Sequence, residues 1–210
     1  MGKSRKIYKL YGIIESESIK NGMTVTQAAE EAIKGGVTII RLTERNRSEE
    51  EILDMAVELK AVCHKYGVPL VINDHPHIAY KCGADGVHLS LEDSDFIYAR
   101  RILGKDAIIG ATAHSLLEAQ AALVAGVDYL GCGAVFKAPD SDAVGISLEH
   151  LKEICGKIDI PVIAVGGING ENIMKLRNCG TSGVAVMSSV FCREDIKTAA
   201  VFMRNLADSL

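Results

Sequence analysis

Apolar positions along the chain fall into short runs rich in valine and isoleucine, separated by longer segments in which apolar residues recur every three or four positions. The runs "IYKLYGII", "VTIIRLT", "PLVIND", "DGVHLS", "AIIGAT", "DYLGCGAVF", "PVIAVGG" and "SGVAVMSS" read as eight strands. Between them, "TQAAEEAIKGG", "EEEILDMAVELKAVCHKYG", "SLLEAQAALVAG" and "LEHLKEICGKI" carry the helical period, and the alternation predicts eight helices as well. A continuously apolar strand is buried on both faces, as in a parallel sheet covered by helices. Eight β/α units are the number that closes on itself. The pattern therefore predicts an α/β fold, a (β/α)8 TIM barrel, as a single domain over residues 1–210.

Local punctuation supports this register. Ser48 with Glu51 and Ser115 with Glu118 fit the capping box that opens a helix. Gly36, Gly83, Gly126 and Gly180 each end a helical stretch shortly before a strand, where a left-handed cap is expected. "CGADGVHL", "AGVDYLGC" and "CGTSGVAV" repeat this helix end, turn and strand. Pro69 and Pro161 stand where apolar runs begin, a position that tolerates a missing amide donor. There is no linker or low-complexity tract.

Composition narrows the class of partner. A formal charge of −4 without a lysine or arginine block argues against nucleic acid or an acidic membrane. No apolar run approaches the roughly 20 residues of a membrane helix, and "MGKSRK" lacks the apolar core of a secretory signal. The six cysteines are scattered without a C-x-x-C pair, which suits reduced thiols and a cytoplasmic location. A homo-oligomer is compatible with all of this. His75 and His77 flank Pro76 and His64, His88, His114 and His150 are dispersed, so no histidine metal cluster is expected; His75 lies near the barrel mouth, within reach of a ligand, and His88 reads as a barrel residue.

Chemistry in such a barrel gathers at the carboxyl ends of the strands. Asp74 closes the third strand and Asp93 follows the fourth, which would aim two carboxylates at one rim. Hard oxygens so placed suit magnesium, although Asp74 could instead brace the turn before Pro76 and Asp93 cap the next helix. In "RLTER", Arg41, Thr43 and Arg45 share one side. Two guanidiniums there could grip an anion, or pair with Glu44 or with the run Glu49, Glu50 and Glu51, which reads as a solvated helix face. "VGGING" and "MSSVF", after strands seven and eight, occupy the loops that often bind phosphate. Gly166, Gly167 and Ser188 are candidates for a phosphate monoester; Ser189 is another, or a cap of the last helix.

From Tyr8 to Leu206 the chain resembles thiamine phosphate synthase and the related thiazole tautomerase. The stretches that carry the resemblance are "NDHPHIAYKCGADGVHLSLED", "IIGATAHSLLEA", "GVDYLGCGAVF", "PVIAVGGINGENI" and "GVAVMSS". It implies joining a pyrimidine methyl diphosphate to a thiazole phosphate with release of pyrophosphate, small phosphate and diphosphate molecules being the partners. By resemblance Asp74 and Asp93 would hold Mg2+, Asn73 would contact diphosphate or pyrimidine, and Gly167 and Ser188 would hold the thiazole's phosphate. Thr112 stands where the family has a serine on the diphosphate; Thr112 and Arg45 are the catalytic candidates, with His75 and Ser141 added to the substrate contacts.

The chain also departs from the family. Arg41, Thr43 and Arg45 replace a Q-x-R-x-K pattern, His75 a common arginine, and "YGIIE" a Y-x-x-T-D pattern. Ala138, Pro139, Asp140 and Ser141 replace a Thr-x-Thr-Lys run. The tautomerase's catalytic histidine falls at Ala134. A non-catalytic barrel binding thiamine phosphate or a related ester, a tautomerase-like isomerase and a phosphosugar isomerase or epimerase are the alternatives.

Overall fold

The computed structural model of the protein describes residues 5–90, 96–136 and 145–210. Eight parallel strands close into a barrel in chain order, β8 returning to β1. They are β1 (Leu10–Ile14), β2 (Ile39–Leu42), β3 (Leu70–Asn73), β4 (Gly86–Leu89), β5 (Ile108–Ala113), β6 (Tyr129–Gly133), β7 (Val162–Val165) and β8 (Gly183–Val186). The helices are α1 (Val25–Lys34), α2 (Glu49–Lys65), α3 (Pro76–Cys82), α4 (Phe96–Leu103), α5 (Leu116–Val124), α6 (Leu148–Lys157), α7 (Ser188–Phe191) and α8 (Ile196–Asp208).

Alternation along the strands sorts the apolar residues into two cores. Leu10, Ile14, Ile40, Leu42, Leu70, Ile72 and Val87 face outward into the layer between sheet and helices. Tyr11, Ile13, Ile39, Val71, Ile108, Tyr129, Ile163 and Ala185 face inward and, with Tyr8, fill the barrel. The Tyr8 and Tyr11 rings lie 5.0 and 5.8 Å from that of Tyr129. Gly110 makes room for this aromatic plug, since a Cβ there would meet Tyr129 Cζ at 2.1 Å. Burial of each such ring contributes roughly 1.5–3 kcal/mol.

The capping signals hold with one change. Ser48 and Glu51 form the complete box, and Thr24 with Gln27 forms another at α1. At α5, Ser115 caps the Glu118 amide, but the Glu118 carboxylate takes the His114 amide at 2.7 Å instead of closing the box. Gly36, Gly83, Gly126 and Gly180 all have positive φ, as their sequence positions require. Eight α-helices form among the described residues, but the alternation of one helix per strand fails after β7, where only a 3-10 turn, Ile173–Leu176, forms, while two helices follow β8. The residues before that turn bond to themselves. Asn172 accepts from the Asn169 amide and donates to the Gly167 carbonyl, and Asn169 accepts from the Glu171 amide. Such local bonds compete with a helix and pin the glycine turn instead.

The first predicted strand also begins late, because Arg5–Tyr8 is a 3-10 turn. All six cysteines are free thiols, and burial pushes those of Cys63, Cys132 and Cys155 up to about 12. Among the described residues no helix is long and apolar enough to cross a membrane.

Candidate functional site

Asp74 follows β3 directly, in the left-handed region at φ 57°. Its amide donates to the His88 carbonyl at 2.9 Å, tying it to β4. Its exposed carboxylate accepts from Asn73 Nδ2 at 2.6 Å and from the Ser90 amide at 3.3 Å. None of these bonds braces the turn at Pro76, so the carboxylate stands at the open rim. Asp93 and Ser141 lie outside the described residues, as do Ala138, Pro139 and Asp140.

The two arginines of "RLTER" have different surroundings. Arg45 is exposed, whereas Arg41 is half-buried, with its guanidinium 5.9 Å from the Tyr11 ring. The acidic residues in reach of them bond elsewhere. Glu44 accepts from the Ser16 amide and hydroxyl, Glu51 holds the Ser48 cap and Arg47, and Glu49 lies against His77. Arg41 Nε is buried without a hydrogen-bond partner. So are the hydroxyls of Thr43 and Ser189, which are 6% and 7% exposed. Orphaned buried polar groups each cost on the order of 1–3 kcal/mol; Arg41 and Thr43, on one side at the end of β2, mark a place for a ligand, whereas Ser189 lines a groove with Asp195, Thr198 and Phe202 between α7 and α8. Ser189 does not cap the last helix; Asp195 does, accepting from the Thr198 amide at 2.9 Å.

Beneath the mouth runs a buried polar chain that sequence reasoning missed. Tyr11 and Tyr129 share a hydrogen bond of 2.7 Å, Tyr129 meets His88 Nδ1 at 2.9 Å, and His88 Nε2 meets the Thr112 hydroxyl at 2.9 Å. Arg41 and His88 both line a cavity of about 10 Å³ in this layer, at the lower limit for holding one water. Burial, reinforced by the Arg41 charge, holds the His88 imidazole well below its usual value, so the ring is neutral. Unfolded, it takes up a proton as the pH falls through about 6.5. The unfolded state then binds more protons than the native one, and stability declines from there down to the depressed native value. Thermal melts should show Tm falling below that pH in the wild type and less steeply in His88→Gln; equal slopes would contradict the assignment.

Gly166 and Gly167 close β7 at φ 100° and 60°, where most side chains are strained. A Cβ on Gly167 would also meet the Phe136 carbonyl oxygen at 2.4 Å. Close packing against the segment after β6 is thus a second reason for glycine here. Ser188 opens α7, and the first amides of a helix have no partner within it. His75 caps the start of α3, its ring edge-on to that of His77 with centroids 5.7 Å apart. The two histidines that flank Pro76 both come close to Glu49, a grouping across helices that the sequence does not announce.

A family model described as thiamine monophosphate synthase matches residues 10–190. The thiamine-phosphate synthase of Clostridium acetobutylicum is 42% identical over 197 residues, 93% of either chain. The chain belongs to the thiamine monophosphate synthase family. The corresponding synthase of Ruminiclostridium cellulolyticum is 39% identical over 94% of either chain. The solved thiamine phosphate pyrophosphorylase from Pyrococcus furiosus superposes with a TM-score of 0.88 at 34% identity, covering 98% of both chains. A 3-hexulose-6-phosphate synthase, at 16% identity and a TM-score of 0.68, shares the fold alone. The stretch matched to the thiamine monophosphate synthase family contains all eight strands and every candidate residue named above.

Proposed function

We propose that this chain is a working thiamine phosphate synthase, joining 4-amino-2-methyl-5-pyrimidinylmethyl diphosphate to 4-methyl-5-(2-hydroxyethyl)thiazole phosphate. The bond from the pyrimidine methylene carbon to the diphosphate oxygen breaks, a bond from that carbon to the thiazole nitrogen forms, and pyrophosphate departs. One observation carries the reading: in a chain of this family, Arg41 Nε and Thr43 Oγ1, on one side at the end of β2, are buried without partners among the described residues. A phosphate or diphosphate would supply the missing acceptors.

Each side chain has a task. Arg41 and Arg45 donate to the diphosphate from below and from the rim, with Asn73 and His75 beside them. Gly166, Gly167, Ser188 and Ser189 hold the thiazole's phosphate, and Ser141, which lies outside the described residues, is a further substrate contact by resemblance. The exposed Asp74 carboxylate, held at the rim by Asn73 and the Ser90 amide, offers the hard oxygen that Mg2+ takes, with Asp93 as the second. Bound there, the ion would neutralise charge building on the leaving diphosphate.

The buried chain sets the direction of Thr112. With the ring hydrogen on His88 Nε2, the imidazole donates to Thr112 Oγ1, and Nδ1 accepts from Tyr129, which accepts from Tyr11. The Thr112 hydroxyl is then left to donate its own hydrogen toward the diphosphate. Removing one such donor costs about 10²-fold in the lower range of transition-state contacts. Thr112→Val is expected to lower kcat by that factor and Thr112→Ser by less than about threefold; equal losses in both variants would rule out the hydroxyl's role.

A cytoplasmic setting suits the free thiols, and the described residues of the proposed site all stand on one closed barrel. Expression in a bacterium lacking its own thiamine phosphate synthase tests the activity. Growth without added thiamine is the expected result. No growth, with the protein present in folded form, would favour a barrel that binds the phosphate esters without joining them.

A further inference from the structure

Glu49, His75 and His77 converge at the edge of the barrel mouth, and one ligand atom from each lies within 4.8 Å of the others. Glu49 is the first residue of α2, His75 caps α3 and His77 lies in the first turn of α3. His77 Nε2 is 3.1 Å from a Glu49 carboxylate oxygen, yet it is shielded from solvent and has no properly aligned hydrogen-bond partner. An imidazole nitrogen and a carboxylate oxygen in contact without an aligned hydrogen bond can serve as two ligands of one centre. The His75 ring stands edge-on at 5.7 Å and supplies a third.

We propose that these three residues form a site for a divalent transition metal such as Zn2+, separate from the magnesium position at Asp74. Two imidazoles and one carboxylate suit a borderline cation, whereas Mg2+ favours oxygen ligands throughout. Tetrahedral zinc with bonds of about 2.0–2.1 Å holds its ligands roughly 3.3 Å apart. Contraction from the present spread needs side-chain rotations and no movement of the barrel. A fourth position stays open to water or to a phosphate oxygen. The site links the start of α2 to the turn between β3 and α3, the turn that also carries Asp74, next to Asn73 at the end of β3. Occupancy therefore fastens the segment on which the rim carboxylate stands. The site depends on this placement alone and would exist even if the proposed reaction were wrong.

Calorimetric titration of chelator-treated full-length protein with Zn2+ tests this. One equivalent is expected to bind, to raise Tm, and to resist competition by millimolar Mg2+. His77→Ala and Glu49→Gln should each fold as the wild type does without metal and should each weaken binding at least about tenfold. X-ray absorption of the wild-type complex should show only nitrogen and oxygen neighbours at about 2.0–2.1 Å. No binding by the wild type, equal affinity in both variants, or sulfur at about 2.3 Å, which would place the zinc on a cysteine, would each overturn the proposal.

Discussion

Replacing Asp74 by asparagine should lower kcat about 10³-fold while Tm moves by no more than a degree or two. Asparagine keeps the shape, tolerates the left-handed backbone at φ 57° and can still accept from the Ser90 amide. What it loses is the charge. Because the carboxylate is exposed and, among the described residues, bonded only to Asn73 and the Ser90 amide at the rim, its removal leaves no buried described group unpaired. Alanine is the poorer probe, since it adds roughly 1–2 kcal/mol of backbone strain at this φ. Initial rates across a magnesium titration decide the matter: a variant that keeps wild-type magnesium-dependent turnover would remove Asp74 from the metal site.

Arg41→Met should uncouple activity from stability. The guanidinium occupies the barrel interior beside Tyr11, and its Nε is buried with no partner in the ligand-free protein. Methionine fills much of the same volume without that unsatisfied donor, so Tm should stay level or rise. Turnover should fall about 10²–10³-fold, because negative charge gathering on the departing diphosphate loses a preorganised donor. A cost in stability matched by a gain in function is the signature of a group placed for its ligand. If kcat and the KM for the diphosphate substrate both stay within threefold of wild type, Arg41 serves the barrel and not the substrate.

The barrel was legible because most strands are short apolar runs with valine or isoleucine, and because Gly36, Gly83, Gly126 and Gly180 mark helix ends where the backbone turns left-handed. Asp74 was legible for a related reason, as a carboxylate closing an apolar run stands out. The site's interior was harder to read. Tyr11, Tyr129, His88 and Thr112 come from β1, β6, β4 and β5, and no local spacing announces that barrel closure will bring their polar atoms into one chain. Glu49 does stand on a solvated helix face, as its sequence suggests, but no local spacing announces that its carboxylate reaches His77 on the neighbouring helix. After β7, asparagine side chains bonded to the local backbone and replaced the expected helix with a 3-10 turn. Periodicity reports burial well and side-chain capture of the backbone poorly.

Pyrophosphate release by the purified protein, given the pyrimidine methyl diphosphate and magnesium with and without the thiazole phosphate, tests the central claim most directly. Release that requires the thiazole phosphate, with thiamine phosphate accumulating in equal amount, is the predicted result. Folded protein that binds thiamine phosphate but releases no pyrophosphate under either condition would contradict it.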